Sequence, residues 1–424
     1  MRFASMSCAL VTVAMMSSAL LAADKAYWPT FRGADRTGVS QETGLLKSWP
    51  EGGPKLLWKA EGAGNGYAGV AIADGKMYTI GDGPSNASDG DEYLTAYSIE
   101  DGKQLWSTKL GPAWTNGSPS WQGSRSTPTV DGEMVYTLTP QGVLYCHNTK
   151  GEKQWLKDLD LEYGGKKADQ WGYSESPTID GDVLLITPGG PETTVVALNK
   201  ISGDKIWTST RPEDRGAGHS CFVISNVGGR KVYVQTTGSG TMGLDPKTGK
   251  ILWTFDIPKV TAVIPTPIVK DDLVFYVAGY DSGGALMRQV PDGDGVKIEN
   301  IYPINSELKN KHGGVVLIDG YLYADSDDKG LPYCADFMTG EQKWKSRASG
   351  KNNAALSAAD GHLYFQFADG TMVLAEANPA EFKETGSFKI PAKSTRPYWA
   401  HPAITGGKMY LRVDDEIFCY DIKE

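Results

Sequence analysis

Short stretches of alternating apolar and polar residues, separated by tight-turn sequences, run along most of the chain after residue 54. In residues 128–136, for example, the pair Asp131-Gly132 divides two such stretches. Alternation with a period of two is typical of a half-buried β-strand, and an Asp-Gly pair favours a two-residue hairpin turn. The same turn recurs at Asp74-Gly75, Asp180-Gly181, Asp319-Gly320 and Asp360-Gly361. No helical period is found, so the pattern predicts an all-β chain built of hairpins.

Tryptophan recurs at a nearly constant spacing and marks a second hairpin in each unit. Its successive gaps are 48, 49, 52 and 46 residues, followed by a gap of 91 residues that corresponds to two periods. Tyr302 and Phe388 occupy the equivalent position in two further units, so this aromatic position occurs eight times. Turns such as Thr248-Gly249 precede the tryptophans. The six tryptophans are Trp58, Trp106, Trp155, Trp207, Trp253 and Trp344.

Two hairpins per unit give four strands in about 45 residues, which is the length and content of a β-propeller blade. The last unit stops at residues 417–422, before a fourth strand. Residues 55–59 form a strand without partners near the start of the chain. Joining the two leaves no open sheet edge. The sequence therefore predicts an eight-bladed β-propeller of four-stranded antiparallel blades, closed by an N-terminal strand.

The N-terminus predicts export. Arg2 is followed by an uncharged apolar run at residues 10–21, and Ala22-Ala23 offers small residues for cleavage. An apolar run of roughly a dozen residues suits a signal peptide and is too short for a membrane span. We expect a signal peptide at residues 1–23, a lead segment at 24–54 and one propeller domain at 55–424, with no transmembrane segment. The expected location is the periplasm or the exterior.

The repeated hairpin before each tryptophan resembles the PQQ-type propeller repeat of quinoproteins and of the BamB type. The segment Trp28-Pro29-Thr30-Phe31-Arg32-Gly33 is similar to the N-terminal sequence of exported repeat proteins abundant in planctomycetes. The resemblance implies that the repeated tryptophans dock each blade on its neighbour. It also implies one of two roles: a binding scaffold of the cell envelope, as in the BamB type, or a PQQ-dependent alcohol dehydrogenase.

The cysteines separate these two roles. Many quinoprotein dehydrogenases carry an adjacent Cys-Cys pair over the cofactor, whereas Cys146, Cys221, Cys334 and Cys419 are isolated. We therefore predict a binding or scaffold protein, and we assign it no cofactor, catalytic residue or metal site. PQQ with calcium remains the alternative. Three of these cysteines share a repeat position that also takes Ala or Gly, which predicts a small buried side chain.

The net charge limits the class of ligand, and the loop lengths indicate which face of the propeller carries a binding site. The net charge of -9 argues against nucleic acid, whose phosphates require a basic face. The long connections all belong to one face of a propeller, and function is usually carried by loops on a rigid scaffold. We expect a monomer that binds a protein partner, a small molecule or a peptide there. The candidate ligand-binding residues at the inner-strand entrances are Arg125, Trp171, Glu175, Arg215, His219, His312, Arg396, Trp399 and His401.

Overall fold

Residues 26–83 and 90–424 are described by a computed structural model, and the predicted signal peptide lies outside them. Helix is scarce in the described part of the chain. One α-helix spans Leu159–Tyr163, and 3₁₀-helices span Pro119–Trp121, Ser306–Leu308 and Asp327–Lys329. Among the described residues, no helix has the length and apolar character needed to cross a membrane. The all-β prediction is confirmed.

Eight sheets form the blades of a propeller, each with four antiparallel strands, as predicted; the sheet of blade 7 gains a fifth, parallel strand, Val39–Ser40. From the innermost strand outward, blade 1 consists of Ala71–Ala73, Lys76–Asp82, Asp91–Ser98 and Gln104–Pro112, and blade 2 of Thr129–Asp131, Met134–Leu138, Val143–Asn148 and Lys153–Asp158. Blade 3 consists of Thr178–Asp180, Val183–Ile186, Val195–Asn199 and Lys205–Ser209. Blade 4 consists of Val223–Val227, Arg230–Thr237, Gly240–Leu244 and Ile251–Asp256. Blade 5 consists of Ile268–Lys270, Leu273–Ala278, Gly283–Asp292 and Gly295–Asn305, and blade 6 of Val316–Ile318, Tyr321–Ser326, Leu331–Asp336 and Gln342–Lys345. Blade 7 consists of Ala354–Ala359, His362–Phe367, Thr371–Glu376 and Glu384–Lys389. Blade 8 consists of Ala403–Thr405, Lys408–Val413, Glu416–Asp421 and Lys55–Ala60.

Blade 8 is completed by a strand from the other end of the chain. Lys55–Ala60 pairs antiparallel with Glu416–Asp421, and Lys55 lies opposite Asp421. The pairing confirms closure by an N-terminal strand. It also covers the backbone edge that the C-terminal strand would otherwise expose.

Each repeated tryptophan lies opposite a small residue on the neighbouring third strand. Trp155 is paired with Cys146, and Trp253 with Gly243. A Cβ atom on Gly243 would lie 2.1 Å from the Trp253 indole nitrogen. The small repeat position thus leaves room for the indole ring, and all four described cysteines are buried and free.

The indole also reaches the following blade. Trp106 of blade 1 donates a hydrogen bond from Nε1 to the Thr149 carbonyl of blade 2 at 3.2 Å, and Trp155 bonds the Lys200 carbonyl of blade 3 likewise. In blade 5 the equivalent Tyr302 donates from its hydroxyl to the Phe337 carbonyl at 3.2 Å. The aromatic position therefore links successive blades.

The two faces of the propeller differ in loop length. Turns between the first and second strands, and between the third and fourth, share one face, which we call the tight-turn face. The other face, the long-loop face, carries the connections between blades, including residues 113–128 and 159–177. Because neighbouring strands run antiparallel, successive turns must alternate between the two faces.

The lead segment crosses the central channel. Trp28 forms a bridge with Ile72 on the innermost strand of blade 1. Further along, Val39–Ser40 pairs in parallel with Ala358 and Ala359 on the innermost strand of blade 7. The chain between these contacts lies across the axis, between a cavity on the long-loop face and one of about 520 Å³ toward the tight-turn face.

Candidate functional site

A cavity of about 470 Å³ opens at the centre of the long-loop face, where the connections lead into the innermost strands. We call it the central cavity. Its lining draws on the lead segment and on the connections that precede blades 1 to 6 and blade 8. Six of the nine candidate residues contribute to it: Arg125, Trp171, His219, His312, Trp399 and His401.

Glu175 lies beneath this lining and does not face the cavity. Its carboxyl oxygens accept hydrogen bonds from the Thr187 amide and the Gln235 side chain, both at 2.9 Å. Burial raises the pKa of Glu175 to about 8. Its contacts join blades 3 and 4, and the cavity lining does not include it.

Arg215 and Arg396 also lie outside the lining, and their guanidinium groups bind protein acceptors. Arg215 donates to the carbonyls of Gly238 at 2.6 Å and Ile257 at 2.9 Å. Arg396 donates to Asp414 at 2.6 Å. A guanidinium has five donors in a fixed fork, which suits it to gathering loop carbonyls.

Two cavity residues that the sequence reasoning missed come from the lead segment. Phe31 and Arg32 both line the cavity. Arg32 is buried, and its Nη2 donates to the Thr37 carbonyl at 2.6 Å and to the Val315 carbonyl of the connection before blade 6. The Trp28–Gly33 motif was the available signal, but its crossing of the channel is a tertiary feature.

Aromatic rings form much of the cavity wall. Tyr67 and Trp399 have ring centroids 4.6 Å apart, and His312 lies edge-on to Trp399 at 4.5 Å. Trp121 and Trp171 meet at a right angle with centroids 5.1 Å apart. Edge-to-face and tilted pairs at these separations are favourable arrangements. The wall offers a ligand broad apolar and π surfaces.

The lining is cationic. Arg32, Arg125 and Lys311 contribute to it, and none of the described lining residues is Asp or Glu. Burial lowers the pKa of Arg32 to about 10, which still leaves it charged at neutral pH. Burial lowers the pKa of His312 well below its usual value and that of His401 to about 3, so both rings are neutral. The cavity therefore favours anionic groups.

His219 is held from both sides. Ser174 Oγ contacts Nδ1 of the imidazole, and Asp169 Oδ2 lies 2.8 Å from Nε2. Ser174 and His219 line the cavity, whereas the Asp169 side chain is 8% exposed behind them.

The side chains that line the central cavity do not supply the oxygen ligands that PQQ with calcium needs. Ca²⁺ takes six to eight oxygen ligands, with carboxylates prominent among them. The described cavity lining holds no carboxylate, and the described residues contain no group of three or more His, Cys, Asp or Glu arranged to hold a metal ion. The residues present therefore do not fit the calcium-bound quinone that the dehydrogenase resemblance implies.

Sequence comparison finds one family. The sequence model described as outer membrane protein assembly factor BamB matches residues 43–165, 90–346 and 305–381, which together cover more than half of the chain. No curated protein matches the chain.

Solved structures share the fold at low sequence identity. BamB from Moraxella catarrhalis is 15% identical, with a TM-score of 0.59 over 87% of this chain and 98% of that one. The computationally designed Ika8 protein is 11% identical, with a TM-score of 0.59 over 87% of this chain and 99% of that one. The quinohemoprotein alcohol dehydrogenase ADHIIG from Pseudomonas putida HK5 is 12% identical, with a TM-score of 0.62 over 94% of this chain and 80% of that one.

At these identities the structures speak for the fold alone, and the family rests on the sequence match together with the eight closed blades. The chain belongs to the BamB-like family of PQQ-type repeat β-propellers.

Proposed function

We propose that this chain is a binding or scaffold propeller of the cell envelope that holds an anionic ligand in the central cavity. One observation carries the proposal: three cationic side chains and a wall of aromatic rings converge in a concave site whose described lining has no carboxylate. Concave, mostly apolar sites with a few convergent polar groups are where small ligands bind. The ligand class is a small molecule or peptide segment with an anionic group beside an aromatic or apolar part.

The envelope location is supported by two observations. The signal-like sequence at residues 1–23 predicts export. The matching family model is described as an outer membrane protein assembly factor. A protein partner could present its anionic segment to the same cavity.

Intrinsic fluorescence tests the binding role, because Trp121, Trp171 and Trp399 line the cavity. Titration with 1-naphthalenesulfonate should change this fluorescence, and uncharged 1-naphthalenemethanol should bind more weakly. Lys311→Ala should weaken sulfonate binding by about tenfold, the size of one moderate charge-assisted contact. Lys270→Ala, which removes a cation from the other cavity, is the matched control and should leave affinity unchanged. Equal affinity for both probes would contradict the proposal.

The alternative, a PQQ-dependent oxidoreductase, is disfavoured by the donor set described above. Adding PQQ and Ca²⁺ to the purified protein tests it. Quinone absorbance that survives desalting, together with dye reduction by an alcohol, would replace the binding role with the dehydrogenase role.

A further inference from the structure

The serine, histidine and aspartate at the cavity wall form one hydrogen-bonded array of Ser174, His219 and Asp169. We propose that this array makes Ser174 a nucleophile that hydrolyses carboxylic esters whose acyl part carries an anionic group. The inference rests on the proposed binding role of the central cavity, which selects the anionic substrate. A Ser-His-Asp array is recognised by geometry and roles and recurs on unrelated folds.

The hydrogen bonds assign the imidazole tautomer. A carboxylate only accepts hydrogen bonds, so the contact of 2.8 Å with Asp169 Oδ2 places the ring proton on Nε2 of His219. The lone pair of Nδ1 then faces Ser174 Oγ and accepts its hydroxyl proton. The nitrogens have exchanged the roles they hold in the familiar serine proteases, but either one acts as a base when the other is protonated and held.

The backbone fixes the relative positions of the aspartate and the histidine. Their two connections are joined by a parallel bridge between Lys167 and Ala217, two residues before Asp169 and His219 respectively. The His219 amide donates to the Val263 carbonyl at 2.8 Å. Asp169 Oδ1 accepts from the Trp171 amide at 2.9 Å, which leaves Oδ2 directed at the imidazole. Such support from neighbouring groups is what a catalytic geometry requires.

The reaction needs a nucleophile that a substrate can reach and a base that is shielded from solvent, and the three side chains meet both needs. Asp169 and His219 are largely withdrawn from solvent, whereas Ser174 is half-buried and lines the cavity. The cations Arg32 and Lys311 line the same cavity. Their charge favours the oxyanion that develops when a carbonyl is attacked, and it attracts an anionic acyl group.

The reaction balances with water as the second reactant. Ser174 Oγ forms a bond to the ester carbonyl carbon while its proton passes to His219 Nδ1. The carbon–alkoxide bond then breaks, and that proton goes to the departing alcohol. Water adds to the acyl carbon and gives a proton to His219, and the bond from carbon to Ser174 Oγ breaks as the serine recovers a proton. The products are one carboxylic acid and one alcohol.

The neighbouring serine supplies a matched control. Residues 218–221 look like part of a nucleophile motif but lack its second glycine. Ser220 is buried and donates to the Cys221 carbonyl at 3.4 Å, outside the cavity lining. Ser220→Ala should therefore leave the reactivity of Ser174 unchanged.

Covalent labelling of the full chain with a fluorophosphonate tests the proposal. Peptide mapping should place the label on Ser174, and Ser174→Ala should abolish it while Ser220→Ala keeps it. The wild type should hydrolyse the mono-4-nitrophenyl ester of succinate faster than 4-nitrophenyl acetate. Ser174→Ala should lose at least about 10³-fold in turnover.

Asp169 acts as a positioning residue, so its variant needs a separate measurement. Asp169→Asn keeps an acceptor for the Trp171 amide but holds the wrong tautomer of His219, and kcat should fall by on the order of 10⁴-fold with KM retained. An unlabelled wild type, or a label on another residue, would overturn the proposal. If 1-naphthalenesulfonate binding is absent while Ser174 is labelled, the nucleophile stands and the binding role fails. If 1-naphthalenesulfonate binds while Ser174 is not labelled, the proposed nucleophile is wrong and the binding role stands.

Discussion

At the scale of single residues, each docking indole lies against a small residue of its own blade. Its own blade provides the small position opposite it, as Gly243 does for Trp253. For four of the six tryptophans the next blade also provides a turn glycine, as Gly249 does for Trp207, where a Cβ atom would lie 2.3 Å from the ring. Both requirements are steric, which explains why the repeat keeps these positions small.

Replacing such a glycine tests the enclosure. Gly249 has a φ of 71°, and Gly132 has a φ of 56° with open space around its Cβ position. Gly249→Ala should lower the free energy of unfolding by about 1–3 kcal/mol more than Gly132→Ala, because overpacking is added to backbone strain. Urea denaturation followed by circular dichroism measures both. Equal losses would show that the turn glycine serves conformation alone.

The buried carboxyl of Glu175 predicts a pH dependence. Because burial raises its folded-state pKa to about 8, the folded chain binds a proton that the unfolded chain releases near pH 4.5. Stability from this group is therefore lost as pH rises from about 4.5 to about 8. Glu175→Gln should flatten the curve of unfolding free energy in that window. A curve parallel to the wild type would contradict the assignment.

At the scale of elements, two segments from the N-terminal part organise the molecule. Lys55–Ala60 completes blade 8, and the lead segment crosses the channel and carries Phe31 and Arg32 into the central cavity. The closing strand was predictable because the repeat itself shows a missing strand at one end and an extra strand at the other. The lead segment has no repeat pattern, so its path could not be inferred.

Deleting residues 55–60 should prevent cooperative folding. The deletion exposes the backbone edge of Glu416–Asp421 and removes the docking indole of Trp58. An exposed hydrophobic edge also invites aggregation. A control replaces the exposed loop residues 115–118 with a Gly-Ser linker of equal length. Differential scanning calorimetry should show a sharp transition for the control, and the same transition in the deletion variant would contradict the closure.

At the scale of the whole molecule, the sequence predicted the architecture, whereas a ligand site on the long-loop face stays a prediction. The blade count follows from turns and tryptophans whose spacing is local. Six candidate residues reached the cavity because inner-strand entrances lie near the axis. Glu175 did not, since the side-chain direction in a loop depends on its packing. The contact between Ser174 and His219 joins residues far apart in sequence, so no local sequence motif could predict it.

The proposed function requires that ligands bind on the long-loop face, at the cavity formed by the inner-strand entrances. A crystal structure with 1-naphthalenesulfonate, at a concentration near its dissociation constant, tests this directly. We expect the ligand in the central cavity, with its sulfonate toward Arg32 or Lys311 and its rings against Trp399. A ligand found instead in the cavity toward the tight-turn face, beside Lys270, would contradict it.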